Sequence, residues 1–486
     1  LKKIISMGCM GMLFFIWISG FAEETVMAKN EYRMAWVLTY NENIDSVESI
    51  GKVVKEAREA NLNALLPIAH RRGRAYYASS FVPVFNPVDA KPPLDTLSEF
   101  IKAAHNTSEG KSRIEIHPWI VLFPVWLEQT SPPPGHVILR HPEWSTKKFG
   151  EDESASKKKA QKWLDPGVPG VCEYIVDVCK EIVSNYDVDG LNLDYIRYYE
   201  GGHGYNPIAI KRFQKRTGRS DTPRPEDKQW QQWQREQITN LVRRIYVETK
   251  KIKPHIKISV CTIIWGSPDK PYEQSAFYTR VMQDWPSWFK EGIADINLPM
   301  NYRKEDDEQR KADFRTWTGV CREWCGDGLF VNGLGNYLNS IAGSIEQVKA
   351  GRENGAHGSC LFRFGVNNNQ EKPYDQLLLA LKNQVYKSSV SPPEYPSLDK
   401  KGTGFIRGFV FKGDFSQGID GIQLKIKGTD KTVYTDGSGY FAFVNLKPGE
   451  TVVEIKIDKD KTKSINVPVV SGQILSLDID LSEPGK

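Results

Sequence analysis

The chain has 486 residues, of which 40% are hydrophobic and 26% charged, with a formal net charge of +5. That length exceeds one ordinary domain, and the apolar content supports a sizeable core and excludes wholesale disorder. The charge is spread along the chain, and its densest basic run, Lys157 to Lys159, follows Glu151, Asp152 and Glu153, so nucleic acid is excluded as an expected partner.

In chain order, residues 1–22 pair Lys2 and Lys3 with an apolar run over 4–18 and small residues Gly20 and Ala22. This is the pattern of a signal peptide, predicting a secreted or periplasmic, cell-envelope protein with no stable membrane insertion after its removal. A membrane anchor is the alternative, but the run is shorter than the ~20 residues a spanning helix needs. Over 31–387 short apolar runs alternate with amphipathic stretches, and strands are expected near 34–39, 64–68, 114–122, 188–194, 256–263, 295–300, 329–334 and 359–364. Helices are expected where Val47, Ile50, Val53, Val54 and Ala57 recur at helical spacing, after Pro169, and over about 226–251. Periodicity alone does not separate an open parallel sheet from a barrel. Eight strands favour an α/β fold of the (β/α)8 type.

Residues 388–403, rich in Pro, Ser and Lys, mark a linker. Over 404–482 short alternating strands are separated by turn signals at 436–439 and 448–449, which fits a small all-β sandwich. Beyond the first segment lie Cys172, Cys179, Cys261, Cys321, Cys325 and Cys360, whose spacing matches no zinc pattern. Buried free thiols are expected, although an oxidising compartment would permit disulfides. No metal site and no cofactor is expected, because no dinucleotide- or phosphate-binding glycine motif precedes a helix.

Side chains alternate along a strand, so in 188–194 Leu191 and Leu193 should face the helices while Gly190, Asn192 and Asp194 face the barrel axis. Asp194 then stands at the C-terminal strand end, where barrel chemistry sits, and Asn192, facing the axis with it, is a further candidate catalytic residue. A carboxylate there can serve glycoside cleavage as acid, nucleophile or electrostatic support; the alternative is a structural pair with Arg197. For the partner acid, Glu200, Asp269, Glu305 and Asp306 follow strands on the same face, and Glu305 and Asp306 are carried forward as candidates. Aromatic, guanidinium and amide side chains suited to a polyhydroxylated ligand recur at other strand ends: Arg72, Tyr76, His117, Trp119, Arg197, Trp265, Asn301, Tyr302 and Arg363.

At these residues the chain resembles the glycosyl-hydrolase-like 10 family, exported bacterial proteins that include hydrolases of peptidoglycan glycan strands. The resemblance runs over about 31–387 and is carried by RMAWVLTY from Arg33, HRRGRAYYASSFVP from His70, IHPWI from Ile116, WLDPGVPGV from Trp163, YDVDGLNLDYIRYY from Tyr186, WQQWQREQITNLV from Trp230 and INLPMNY from Ile296. It implies a barrel that hydrolyses glycosidic bonds in a polysaccharide. Relatives often carry a second Asp where this chain has Tyr195, and Gln where it has Met300. The fourth strand is also similar to the DGxDxDxE motif of family-18 chitinases, but Asn192 replaces one Asp and Ile196 stands where the acid Glu belongs. The Glu pair of family-10 xylanases is not found. VYTDGSGYFAFVNLKPGE from Val433 resembles a carboxypeptidase-regulatory-like sandwich. The expected function is therefore glycoside hydrolysis through Asp194. A glycan-binding barrel without turnover is the principal alternative, and a surface protein whose sandwich does the main work is a second.

Overall fold

A computed structural model describes residues 30–40, 44–86, 93–127, 131–151, 161–268, 271–369, 372–458 and 460–482. The signal-like segment and Asp269 lie outside the described residues. The barrel strands are β1 (Tyr32–Val37), β2 (Ala64–Arg71), β3 (Trp119–Val121), β4 (Gly190–Asp194), β5 (Lys257–Thr262), β6 (Ile296–Pro299), β7 (Asn332–Leu334) and β8 (Gly358–Leu361). They pair in parallel in the order β6-β5-β4-β3-β2-β1-β8-β7.

Two strands depart from the expected continuous runs. The third is interrupted at Pro118, which has no N–H to give a ladder, so that Glu115–Ile116 and Trp119–Val121 pair with β2 as separate pieces. The seventh is split at Val331: its first piece, Leu329–Phe330, pairs with β6, and its second, β7, pairs with β8. An additional bridge joins Met300 to Gly333, so the split strand closes the ring.

Alternation sorts the strand residues into two apolar layers. Tyr32, Met34 and Trp36 of β1 and Ala64, Leu66 and Ile68 of β2 fill the barrel interior. Ala35, Val37, Leu65, Leu191 and Leu193 belong to the layer packed against the helices. The helix Val47–Glu59 begins with a capping box made by Ser46 and Ser49, and it buries Ile50, Val54 and Ala57. The long helix Lys228–Ile252 is capped by the Asp227 carboxylate, which accepts from the N–H groups of Gln229 and Trp230. Over Asn240–Lys250 it is buried despite its many polar residues, because one face meets the barrel and the other meets the C-terminal domain.

That domain is a β-sandwich. In one sheet Gly404–Lys412 pairs with Asp414–Gly418 and Tyr440–Leu446 and with two short terminal strands. The other sheet runs Thr432–Tyr434, Gln423–Ile426, Gly449–Lys456, Thr462–Val469. Ile406, Val410, Leu424, Phe441, Phe443, Val453 and Ile455 form its core. Asp436 makes the expected turn by accepting from the N–H groups of Ser438 and Tyr440.

Segment 388–403 is irregular, yet it is bound to the barrel along its length and is no free spacer. The carbonyl of Ser388 accepts from Arg33 Nη1 at 2.6 Å, that of Val390 accepts from Asn63 Nδ2 at 3.1 Å, and the N–H of Leu398 donates to Pro254 at 3.1 Å. Tyr395 packs against the interior cluster, and Lys401 Nζ donates to Tyr246 Oη at 2.9 Å and lies 3.6 Å from Asp295. The segment therefore straps the N-terminal end of the barrel. Beyond it the sandwich is held laterally by Arg212–Asp420 (2.7 Å), Arg244–Asp436 (2.9 Å) and Arg407–Glu248 (2.9 Å).

All six described cysteines are buried and unpaired. Among the described residues no helix is long and apolar enough to cross a membrane, and no group of ligating side chains is placed to hold a metal ion.

Candidate active site

Asp194 ends β4 with its carboxyl turned into a cleft of about 310 Å³ at the C-terminal end of the barrel. Its Oδ2 accepts from Trp119 Nε1 at 2.9 Å. Its Oδ1 accepts from the N–H of Tyr195 at 2.6 Å, an approach made available by the left-handed backbone of Tyr195 (φ +53°). A non-glycine residue in that region costs of order 1–3 kcal/mol, and the surrounding fold must hold it there. Burial raises the Asp194 pKa; the two N–H donors and the charge of Arg197 act against that rise without cancelling it.

No ion pair forms between Asp194 and Arg197. Instead the Arg197 guanidinium lies over the rings of Tyr195 (4.8 Å), Trp163 (5.5 Å) and Trp265 (5.6 Å). Burial lowers its pKa. The cleft floor is aromatic: Trp36 and Trp119 each meet Phe362 edge-on, at 5.8 and 6.2 Å, and Tyr302 packs on Phe362 at 5.0 Å. Leu38, Arg71, Val121, Asp194, Met300 and Phe362, at or just beyond the C-terminal ends of six different strands, all line the cleft, together with Arg72, Trp119, Tyr195 and Tyr302. Tyr195 and Met300, the two departures from the family pattern, thus both face the cleft.

Of the other expected site residues, Arg72, Trp119 and Tyr302 line the cleft beside Asp194, whereas Arg197 and Trp265 lie outside its lining, Arg197 behind Tyr195 and Trp265 against Arg197. Asn192 does not line it. Its Oδ1 accepts from Trp36 Nε1 at 3.0 Å and its Nδ2 donates to Ser259 Oγ at 2.9 Å, so it is a buried brace one layer below. Tyr76 is buried against Phe85, 4.8 Å between ring centres. Arg363 is half-buried in the chain leaving β8, and it too is outside the cleft lining.

Four expectations need correction. His117 points inward but at the wrong depth: it is fully buried at the N-terminal end, packed over Gly190, with Nε2 2.9 Å from Glu115 Oε2. The break at Pro118 leaves Trp119, paired with Asn192, as the residue at the level of the site. Asn301 is buried and donates to the Phe314 carbonyl and to Asn332 Oδ1, which fastens the end of β6 to its neighbours. Glu305 is held away by a 2.7 Å pair with Arg315, and Asp306 is exposed outside the cleft lining. Glu200, also considered, pairs with Arg280 at 3.0 Å. Asp194 is thus the sole carboxylate among the described residues lining the cleft.

Trp36, Phe362 and Gln161 were not singled out from the sequence. The alternation that points Asp194 inward also points Tyr32, Met34 and Trp36 inward, so Trp36 was within reach of the same argument. Gln161 enters on a short antiparallel pair of Pro124–Leu127 with Gln161–Trp163, which carries no periodic signal.

The profile of the family described as "Glycosyl hydrolase-like 10" matches residues 30–316. The chain is 24% identical over 298 residues to glycosyl hydrolase YngK of Bacillus subtilis, covering 56% of this chain and 54% of that protein. It is 22% identical over 300 residues to glycosyl hydrolase DigH of Escherichia coli K12, covering 56% and 63%. The chain therefore spans less than two thirds of either relative. Among solved structures, the glycoside hydrolase domain of PgaB (BpsB) from Bordetella bronchiseptica superposes with a TM-score of 0.52 at 12% identity, covering 68% of this chain and 94% of that one. The β-amylase catalytic domain from Paenibacillus polymyxa gives 0.51 at 12%, covering 74% and 98%. These two share the barrel fold. With the profile match extending over more than half its length, the chain belongs to the glycosyl hydrolase-like 10 family.

Proposed function

We propose that the cleft binds a polysaccharide, with peptidoglycan glycan strands as the candidate polymer, and that Asp194 donates a proton to the departing glycosidic oxygen. The observation that carries this reading is a buried carboxyl at the mouth of an aromatic cleft, fixed by one N–H donor on each oxygen, with its pKa raised by burial. A proton donor must hold its proton at the working pH, and burial favours that form. The aromatic floor offers flat apolar faces to sugar rings. With no second carboxylate among the described lining residues, the attacking group is a water molecule or a group of the substrate itself. Family membership supports a glycan-acting hydrolase. The signal-like segment supports export, and the turn and strand signature of 433–450 supports assigning the sandwich to the carboxypeptidase-regulatory-like type.

The same lack of a second carboxylate favours one other reading, a barrel that binds glycan without cleaving it. Incubating the full chain with peptide-free peptidoglycan strands and a panel of neutral polysaccharides, and measuring reducing-end release beside binding, separates the two. Turnover that falls about 10²–10⁴-fold in Asp194→Asn while binding persists is the expected result. Full activity in that variant would remove Asp194 from the mechanism, and binding with no release by the unsubstituted protein would establish the second reading.

A further inference from the structure

Elsewhere in the molecule many guanidiniums have a partner, either a carboxylate, as in Arg33 with Glu31, Arg212 with Asp420, Arg243 with Glu291, Arg315 with Glu305 and Arg407 with Glu248, or a backbone carbonyl, as in Arg58 and Arg303. The cleft breaks this habit. Arg71 and Arg72 both line it, half-buried, and neither has a carboxylate or hydrogen-bond partner for its side chain among the described residues. The Arg71 guanidinium carbon lies 3.7 Å from the centre of the Tyr40 ring, a contact that holds the charge without neutralising it. Arg74 follows two residues on, and its buried Nε is likewise without a partner. The single carboxyl lining the same cleft, Asp194, sets one acid against two guanidiniums. The wall is therefore net positive in a partly desolvated place, where an uncompensated charge is costly. Burial and the neighbouring charge of Arg71 both lower the Arg72 pKa, and no carboxylate acts to restore it.

The backbone shows that this arrangement is built. Strand β2 turns back on itself through a two-residue hairpin, with Arg71 paired to Arg74 and both central residues in the left-handed region, Arg72 at φ +51° and Gly73 at φ +63°. Such turns favour Asn or Gly at the first central position; here Arg occupies it. The turn is pinned from behind, because His136 Nε2 lies 2.9 Å from the Arg72 carbonyl and a Cβ on Gly73 would come within 2.3 Å of the same nitrogen. A strained turn clamped in place to present two unpaired guanidiniums to a glycan cleft is organised for an anion.

We propose that Arg71 and Arg72 are specificity-determining residues that recognise a carboxylate carried by the sugar, so that the cleft selects an acidic glycan over its neutral counterpart. This rests on the cleft being a glycan site, but not on Asp194 being catalytic. Paired guanidiniums suit a carboxylate because they donate several fixed N–H groups to its two oxygens.

The test uses the full chain and two polymer pairs: peptide-free peptidoglycan strands with the same strands after carboxyl reduction, and a uronic acid oligosaccharide with its reduced form. Calorimetry should show at least one acidic form binding about tenfold or more tighter than its reduced partner. That preference should shrink as salt is raised from about 0.05 to about 0.5 M, which requires no variant. Arg71→Gln with Arg72→Gln should abolish it, with Arg72→Lys as a charge-retaining control if the double variant folds poorly. Equal affinity for acidic and reduced forms of both polymers, or a preference indifferent to salt, overturns the proposal. Reducing-end release is recorded in parallel: acidic preference without release would leave this inference standing while sinking the hydrolase reading, and release from reduced and acidic strands at equal rates would do the reverse.

Discussion

Two aspartates bracket β4, and their surroundings push them in opposite directions. At Asp189 burial acts to raise the pKa, but the His105 ring, the Ile116 N–H and Arg113 outweigh it and take the carboxyl down to about 2. At Asp194 burial prevails over its donors. The consequences have opposite signs. A depressed carboxyl contributes stability that is present above its unfolded value of about 3.9 and lost as pH falls toward 2; a raised one loses stability as pH climbs from about 3.9 through its folded value. Asp189→Asn should therefore cost about 2 kcal/mol near pH 7 and progressively less toward pH 2 in denaturant unfolding. For Asp194→Asn, the wild-type-minus-variant stability difference should decline as pH rises from about 4. If Asp194 is the proton donor, kcat/KM should also fall on the alkaline side, as the carboxyl ionises above the ordinary carboxylate range. An alkaline limb retained in a still-active Asp194→Asn would assign it to another group.

The elements show what the sequence could and could not reveal. Strand order and the inward set Gly190, Asn192, Asp194 were legible because a period of two is a property of the backbone, whatever its neighbours. Depth was not. His117 and Trp119 share parity and differ only in height along the axis, which is set by where the strand enters the ring and by the break at Pro118. The side-chain commitments of Glu305 and Asn301 were hidden for a related reason: Arg315, Phe314 and Asn332 reach them only after the helix Glu308–Trp324 and β7 have packed. The Arg72–Gly73 turn was visible as letters in HRRGR, but its clamp, His136, arrives from a distant loop. Gly73→Ala places a Cβ against that ring and forces an L side chain to positive φ. It should destabilise the protein by about 1–3 kcal/mol in denaturant unfolding and weaken glycan binding even where the protein remains folded. An alanine variant of native stability and affinity would show that the clamp is dispensable.

For the whole molecule, strap and sandwich change what truncation means. Read as a linker, 388–403 marks a place to cut. In the fold it carries Lys401 to the buried Asp295, and the sandwich covers Arg244 and Glu248 on the long helix. A chain ending at Ser388 should lose at least about 3 kcal/mol in unfolding free energy, because it bares one partner of several buried pairs. Loss of turnover in that fragment must accordingly be judged beside its melting curve; unchanged stability would mean the sandwich is merely appended. Strand order also fixes when the barrel can be completed. β1 gains its second neighbour only when β8 arrives, through the register from Tyr32↔Gly358 to Ala35↔Leu361, and Arg33 is tied to Ser388 across 355 positions of sequence. Until nearly the whole barrel segment is available, one edge of the earliest strand stays open to pairing with other chains. Slow, late closure of this kind makes the yield of folded protein fall with chain concentration during refolding, whatever its final stability.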